Sequence, residues 1–97
     1  MIYVTGSSEK LSNVAEVLEY VGSMQIYDTS NCYICPLNAF SHLKHKDIPA
    51  ETKTALRLDL LTDCEKLIVV GDFENDDFVQ AEIDLAEKCK MEVEYRL

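Results

Sequence analysis

An α/β fold is the class this sequence predicts: a small flavodoxin-like or Rossmann-like three-layer sandwich on a four-stranded parallel sheet ordered 2-1-3-4. Three observations predict it. Ile2-Tyr3-Val4-Thr5 is a short β-prone run that breaks at Gly6-Ser7-Ser8 into residues of helical spacing. Leu67 to Val70 is continuously apolar, as expected of a central parallel strand covered on both faces. Near the end of the chain, Met91, Val93 and Tyr95 alternate with Glu92 and Glu94, the pattern of an edge strand.

The elements follow in order. Leu11, Val14, Val17, Leu18 and Val21 recur at helical spacing, with Ser7 or Ser8 as N-cap candidates and Gly22 as the stop. Met24-Gln25-Ile26-Tyr27 alternates and reads as a second strand, completing a right-handed βαβ unit. Asn31 to Asn38 reads as a loop, followed by a short helix after Pro36 carrying Leu37, Phe40 and Leu43. Pro49 suits the first turn of the next helix, which turns Ala55, Leu56, Leu60 and Leu61 inward. After the third strand and an acidic loop, Phe78, Ala81, Leu85, Ala86 and Cys89 form the stripe of the last long helix.

Composition narrows the class of function. A chain of 97 residues is one domain with a single core. No apolar stretch approaches the ~20 residues of a membrane span, and no leader pattern opens the chain. The expectation is therefore a soluble cytoplasmic protein. Nine Lys plus Arg against 18 Asp plus Glu give a formal net charge of −9, which repels a phosphate backbone and argues against nucleic-acid polymers. A single nucleotide stays compatible, because backbone N–H groups can hold a phosphate locally.

Cys64 and Cys89 fall among apolar positions and read as buried small hydrophobes. Cys32 and Cys35 form a Cys-x-x-Cys, followed by His42 and His45 as His-x-x-His. The set could supply four zinc ligands, but the gap between the pairs is shorter than in the common finger pattern. The plainer reading is two thiols in a loop and two histidines on one helical turn. No metal and no cofactor is assigned.

Glu82 says most about function. The carboxyl ends of parallel strands are where open α/β sheets bind ligands, and the pattern places Tyr3, Asp59, Asp76 and Glu82 around one such crevice. Glu82 borders the apolar stripe of its helix, and a partly desolvated carboxylate there suggests acid, base or nucleophile work on a sugar-like substrate. From the pattern alone Asp59 reads rather as a solvent-facing carboxylate, Asp72, Glu74, Asp76 and Asp77 as a plain acidic loop or a weak divalent-cation site, and Tyr3 more often as core than as catalytic. Gly6, Ser7 and Ser8 form a turn where backbone can approach an anion.

Taken together, these positions resemble the nucleoside 2-deoxyribosyltransferase-like superfamily, which includes 2-deoxynucleoside 5-monophosphate N-hydrolases. The likeness is nearest to a branch of short proteins common in phage and bacterial genomes. It is strongest in Ile2-Tyr3-Val4-Thr5-Gly6 and from Arg57-Leu58-Asp59-Leu60 through Ala81-Glu82-Ile83-Asp84-Leu85-Ala86. The resemblance implies that Glu82 is a nucleophile oriented by Tyr3, that Asp59 contacts the ribose and that Asp76 protonates the leaving base. It also implies that the loop from Tyr33 to Asn38, with Pro36 and Asn38, lies over the substrate. The reaction implied is displacement at the anomeric carbon through a covalent glycosyl-enzyme; non-catalytic binding of a nucleotide or nucleotide-derived signal in the same crevice is the alternative. Two departures accompany the likeness. Phe78-Val79-Gln80 stands where the family usually has a glycine, and the hydrolases' phosphate-binding arginines have no counterpart near Gly6. A domain this small also predicts a homo-oligomer, most simply a twofold dimer, with Tyr20, Tyr27, Tyr33 and Phe40 as contact candidates.

Overall fold

The structure is a computed structural model that describes residues 1–39 and 49–96. Its elements are β1 (Ile2–Thr5), α1 (Leu11–Tyr27), β2 (Tyr33–Ile34), α2 (Pro36–Ala39), α3 (Ala50–Thr62), β3 (Lys66–Val70), α4 (Asp77–Lys88) and β4 (Glu92–Arg96). The four strands form one parallel sheet in the order β2-β1-β3-β4, the predicted order. Chain direction across the sheet reverses between β1 and β3, so their carboxyl ends, at Thr5 and Val70, flank the topological switch point.

Strand alternation divides the core. Ile2, Val4, Ile68 and Val70 point to the α1 side, where they meet Val17 and Val21. Tyr3, Leu67 and Val69 point the other way and pack with Leu61 of α3 and Val79, Ile83 and Ala86 of α4. Both faces are covered, which is why the central strands are apolar at nearly every position.

Several local expectations are corrected. Residues 24–27 are the last turn of α1 and not a strand. Met24 continues the spacing of Val17 and Val21 onto the core, and Asp28 N–H closes the helix on the Met24 carbonyl at 2.8 Å. The second strand is Tyr33–Ile34, inside the stretch expected to be a loop, paired with Ile2 and Tyr3. Gly22 lies within α1, and neither Ser7 nor Ser8 caps it, because Lys10 occupies that position. Leu11 is 87% exposed and Leu18 is 38% exposed, so neither belongs to the core stripe.

On α3, Ala55 and Leu56 are exposed, while Arg57 and Leu61 face inward. The buried face of α4 is Val79, Glu82, Ile83 and Ala86, offset from the predicted stripe, and Cys89 is exposed. The predicted α2 helix is present from Pro36 to Ala39, but Phe40 and Leu43 lie outside the described residues.

Two glycines join the strand ends to α1. A Cβ on Gly6 would stand 2.5 Å from both Val17 Cγ2 and the Val70 carbonyl oxygen, so the turn after β1 has room only for hydrogen. Gly71 adopts φ +73°, a conformation that favours glycine, and a Cβ there would collide with Asn13. Asn13 is buried and clasps both loops: its Nδ2 donates to the Ser7 carbonyl at 2.9 Å, and its Oδ1 accepts from Asp72 N–H at 3.2 Å.

Candidate functional site

Four side chains from three regions of the chain meet beneath the carboxyl end of β1. Tyr3 and Thr5 are two apart on that strand and so point to the same face, toward α3 and α4. Arg57 comes from α3 and Glu82 from α4. Tyr3, Thr5 and Glu82 are completely buried, and Arg57 is 7% exposed.

The Glu82 carboxylate is held at both oxygens. Oε2 accepts a short hydrogen bond from the Tyr3 hydroxyl and a second from Arg57 Nε at 3.2 Å. Oε1 accepts from Thr5 Oγ1 and from Arg57 Nη2, each at 2.8 Å. Arg57 Nη2 also donates to Thr5 Oγ1 at 3.0 Å, and the half-buried Phe78 ring lies 5.0 Å from the guanidinium carbon. This is a closed network in which one buried charge neutralises another, the condition under which buried ions are tolerated.

Burial, then the negative charge of Glu82, pushes the Tyr3 hydroxyl far above the ordinary tyrosine range, so it serves as a neutral donor. Burial works to lower the Arg57 pKa, but the Glu82 charge and hydrogen bonds outweigh it and raise it. Arg57 is therefore a permanent cation against the carboxylate.

Arg57 and Thr5 were missed by the sequence reading. The signal for Arg57 lay in the spacing: positions 57 and 61 are one turn apart on α3, and Leu61 is buried.

Asp59 is not part of this cluster. Two positions beyond Arg57, it lies on a different face of α3 and is exposed. Asp76 is buried but does other work. It is the N-cap of α4, its Oδ1 accepting from Phe78 N–H at 2.9 Å and Val79 N–H at 3.2 Å. Its Oδ2 accepts from Ser8 N–H at 3.2 Å, which ties the β1–α1 turn to α4. All three contacts use the carboxylate as an acceptor, which suits a cap better than a proton donor.

The same contacts change the picture of Gly6, Ser7 and Ser8. Ser7 N–H donates to the Asp72 carbonyl at 3.1 Å, Ser8 N–H to Asp76, and Glu9 N–H to Ser7 Oγ at 3.3 Å. Those donors are engaged inside the protein, and α1 starts only at Leu11, so the turn does not present a helix N-terminus to an anion. Gly6 is explained by packing. Pro36 is buried at the start of α2, which packs against β1 and α1, and Asn38 lies within that helix.

Cys32 and Cys35 flank β2, Cys32 exposed and Cys35 buried. Three residues of extended chain separate their Cα atoms by ~10 Å at about 3.3 Å per residue. That is beyond the ~7 Å limit for a disulfide. His42 and His45 lie outside the described residues. Among the described residues no group of three metal-ligating side chains converges. Nor is any of their helices long and apolar enough to cross a membrane. A cleft of about 330 Å³ lined by Cys64, Glu65, Leu85 and Met91 lies where the chain enters β3 and β4, at the amino ends of the strands, and Glu82 is not among its lining residues.

Compared with protein-family models, with curated proteins and with solved structures, the chain matches none.

Proposed function

We propose that this protein acts on the N-glycosidic bond of a nucleoside, deoxynucleoside or nucleotide, with Glu82 as nucleophile and Tyr3 as the residue that orients it. The observation that carries the reading is the hydrogen bond from the Tyr3 hydroxyl to the Glu82 carboxylate, made across 79 positions of sequence. It lies beside the switch point of a parallel sheet, where ligands of such folds bind.

In the reaction, a Glu82 oxygen attacks the anomeric carbon as the bond from that carbon to the base nitrogen breaks. The base leaves with the bonding pair and takes up a proton, and water or a second base then resolves the glycosyl ester. Thr5 and Arg57 hold the carboxylate in one orientation. Because Glu82 is completely buried and accepts four hydrogen bonds, attack requires the cluster to open and at least one oxygen to be released.

That saturation favours a second reading, in which the crevice binds a nucleotide or a nucleotide-derived signal without turnover. Incubation with a panel of deoxynucleosides and their monophosphates separates the two. Release of free base, followed by chromatography, supports cleavage or exchange. Calorimetric binding without release supports sequestration, and the absence of both release and binding removes both ligand readings.

A further inference from the structure

The amino ends of the strands gather sulfur. Cys64 stands two residues before β3 and Cys89 three residues before β4, and both line the cleft of about 330 Å³ together with Met91. Strand pairing brings them together. Lys66 and Glu92 are Cα partners in neighbouring parallel strands, about 4.8 Å apart, so the segments that lead into β3 and β4 run side by side. After α4 the chain turns through Lys90 at φ +57°, and Met91 N–H returns to the Ala86 carbonyl at 2.8 Å. That turn leaves Cys89 and Met91 bordering one space.

The two thiols are free and differ in access. Cys64 is 7% exposed and its Sγ donates to the Leu60 carbonyl at 3.5 Å, whereas Cys89 is exposed at the C-cap of α4. One sulfur is fixed within the fold and the other is reachable from solvent. Burial pushes the Cys64 thiol up, and the Met1 ammonium works against it. The carboxylate in the lining, Glu65, is already paired with that ammonium at 2.8 Å. The donor set then decides the ion. Zinc takes four protein ligands in structural sites and three in catalytic ones, and among the described residues no three His, Cys, Asp or Glu side chains converge. Calcium and magnesium require oxygen. Thiolates and thioethers select Cu(I), a soft closed-shell ion that two thiolates satisfy.

We propose that Cys64 and Cys89 bind one Cu(I) ion in this cleft, with the Met91 thioether as a weaker third ligand. Both cysteines coordinate as thiolates, so each releases its proton as the metal enters, and the ion keeps its oxidation state throughout. Cys32 is the nearest rival. Ile2 N–H donates to its carbonyl at 2.8 Å, which places it at the same end of the sheet, but it is not among the residues that line the cleft. Glu82 is not among them either, so the inference stands apart from the glycosidic reading.

The test is an anaerobic titration of the reduced full chain with Cu(I) in competition with bicinchoninate, a chelator that colours when it holds the ion. The Cys32→Ser protein should withdraw one equivalent, as the wild type does. Cys89→Ser should withdraw none, and it decides the matter alone where Cys64→Ser does not fold, because Cys89 is exposed. Met91→Leu should weaken retention severalfold and keep the stoichiometry. Melting of the Cys32→Ser protein should shift upward on loading, since an ion bound only by the folded state stabilises it, and melting of Cys89→Ser should not move. X-ray absorption of the loaded protein should show sulfur ligands only. A wild type that leaves all the copper with the chelator overturns the proposal. So does a Cys89→Ser protein that retains a full equivalent, a loss that follows Cys32→Ser instead, or zinc held in preference to Cu(I).

Discussion

Arg57 and Glu82 form a two-bond ion pair between α3 and α4, Nη2 to Oε1 at 2.8 Å and Nε to Oε2 at 3.2 Å. The side chains are 9% and 1% exposed. Removing one partner of such a pair leaves the other as an uncompensated buried charge, at a cost of about 3–5 kcal/mol. Glu82→Gln is therefore not a silent probe of catalysis. The expected outcome is a fall in melting temperature of more than ~12 °C, at about 4–8 °C per kcal/mol for a domain of this size. Arg57→Met combined with Glu82→Gln should recover most of that loss, since the amide oxygen can still accept from Tyr3 while its NH2 donates to Thr5 Oγ1. A Glu82→Gln protein melting within a few degrees of wild type would show that the pair is not desolvated.

Asp76 yields a contrast between cap and acid. As a cap it accepts from two helix N–H groups, and an asparagine at the N-cap serves nearly as well. Asp76→Asn should keep stability within about 1 kcal/mol of wild type, and Asp76→Ala should lose about 1–2 kcal/mol. If base is released at all, Asp76→Asn should retain most of the rate. A collapse of rate in an Asp76→Asn protein of normal stability would return the general-acid role to this residue.

How far the site could be read in the sequence follows from its chemistry. β1 and β3 were legible because a strand covered on both faces leaves a continuous apolar run, and their pairing fixed the sheet order. Tyr3 and Glu82 were legible as polar groups set in apolar surroundings. Arg57 was hidden because an arginine on a helix reads as solvated, and only its partner across the core reverses that reading. Asp59, between Leu58 and Leu60 in sequence, reads from the pattern as a solvent-facing carboxylate and is exposed, since helical neighbours in sequence are not neighbours on a face; only the family resemblance placed it at the ribose. The end of α1 was misread because four residues of alternation match a strand as well as a helix, and Met24 decides it only through packing.

Asp28 and Tyr33 offer a spectroscopic check on the segment leading into β2. The Asp28 carboxylate accepts from Tyr33 Oη at 2.6 Å, Asn31 Nδ2 at 2.8 Å and Ser30 Oγ at 2.8 Å. The Tyr33 hydrogen bond comes first among the causes that lower the Asp28 pKa to about 2, and the same bond raises Tyr33 to about 12. The signs are opposite for stability. The Asp28 contribution is present above the unfolded carboxyl range and is lost as pH falls toward 2. The Tyr33 contribution is present below the unfolded phenol range and is lost as pH rises through about 12. Difference absorbance of Asp28→Asn should show one tyrosine returning toward the ordinary value of ~10. An unchanged alkaline titration would rule out the contact in solution.

The nucleophile can be tested without relying on Glu82→Gln. A 2-deoxy-2-fluoro nucleoside with a good leaving base slows both steps through the electron-withdrawing fluorine, because both transition states carry oxocarbenium character. The good leaving group restores the first step alone, so the glycosyl ester accumulates. Intact-mass spectrometry should then show one added fluoroglycosyl group, and peptide mapping should place it on Glu82. Thr5→Val should speed its formation, since Oε1 would lose one of its two donors while Arg57 still holds the carboxylate. Arg57→Lys should slow it, because a single ammonium cannot span both oxygens and the orientation set with Tyr3 loosens. An adduct on any residue other than Glu82 would sink the proposed nucleophile, and base release with no adduct at any time would point to direct attack by water.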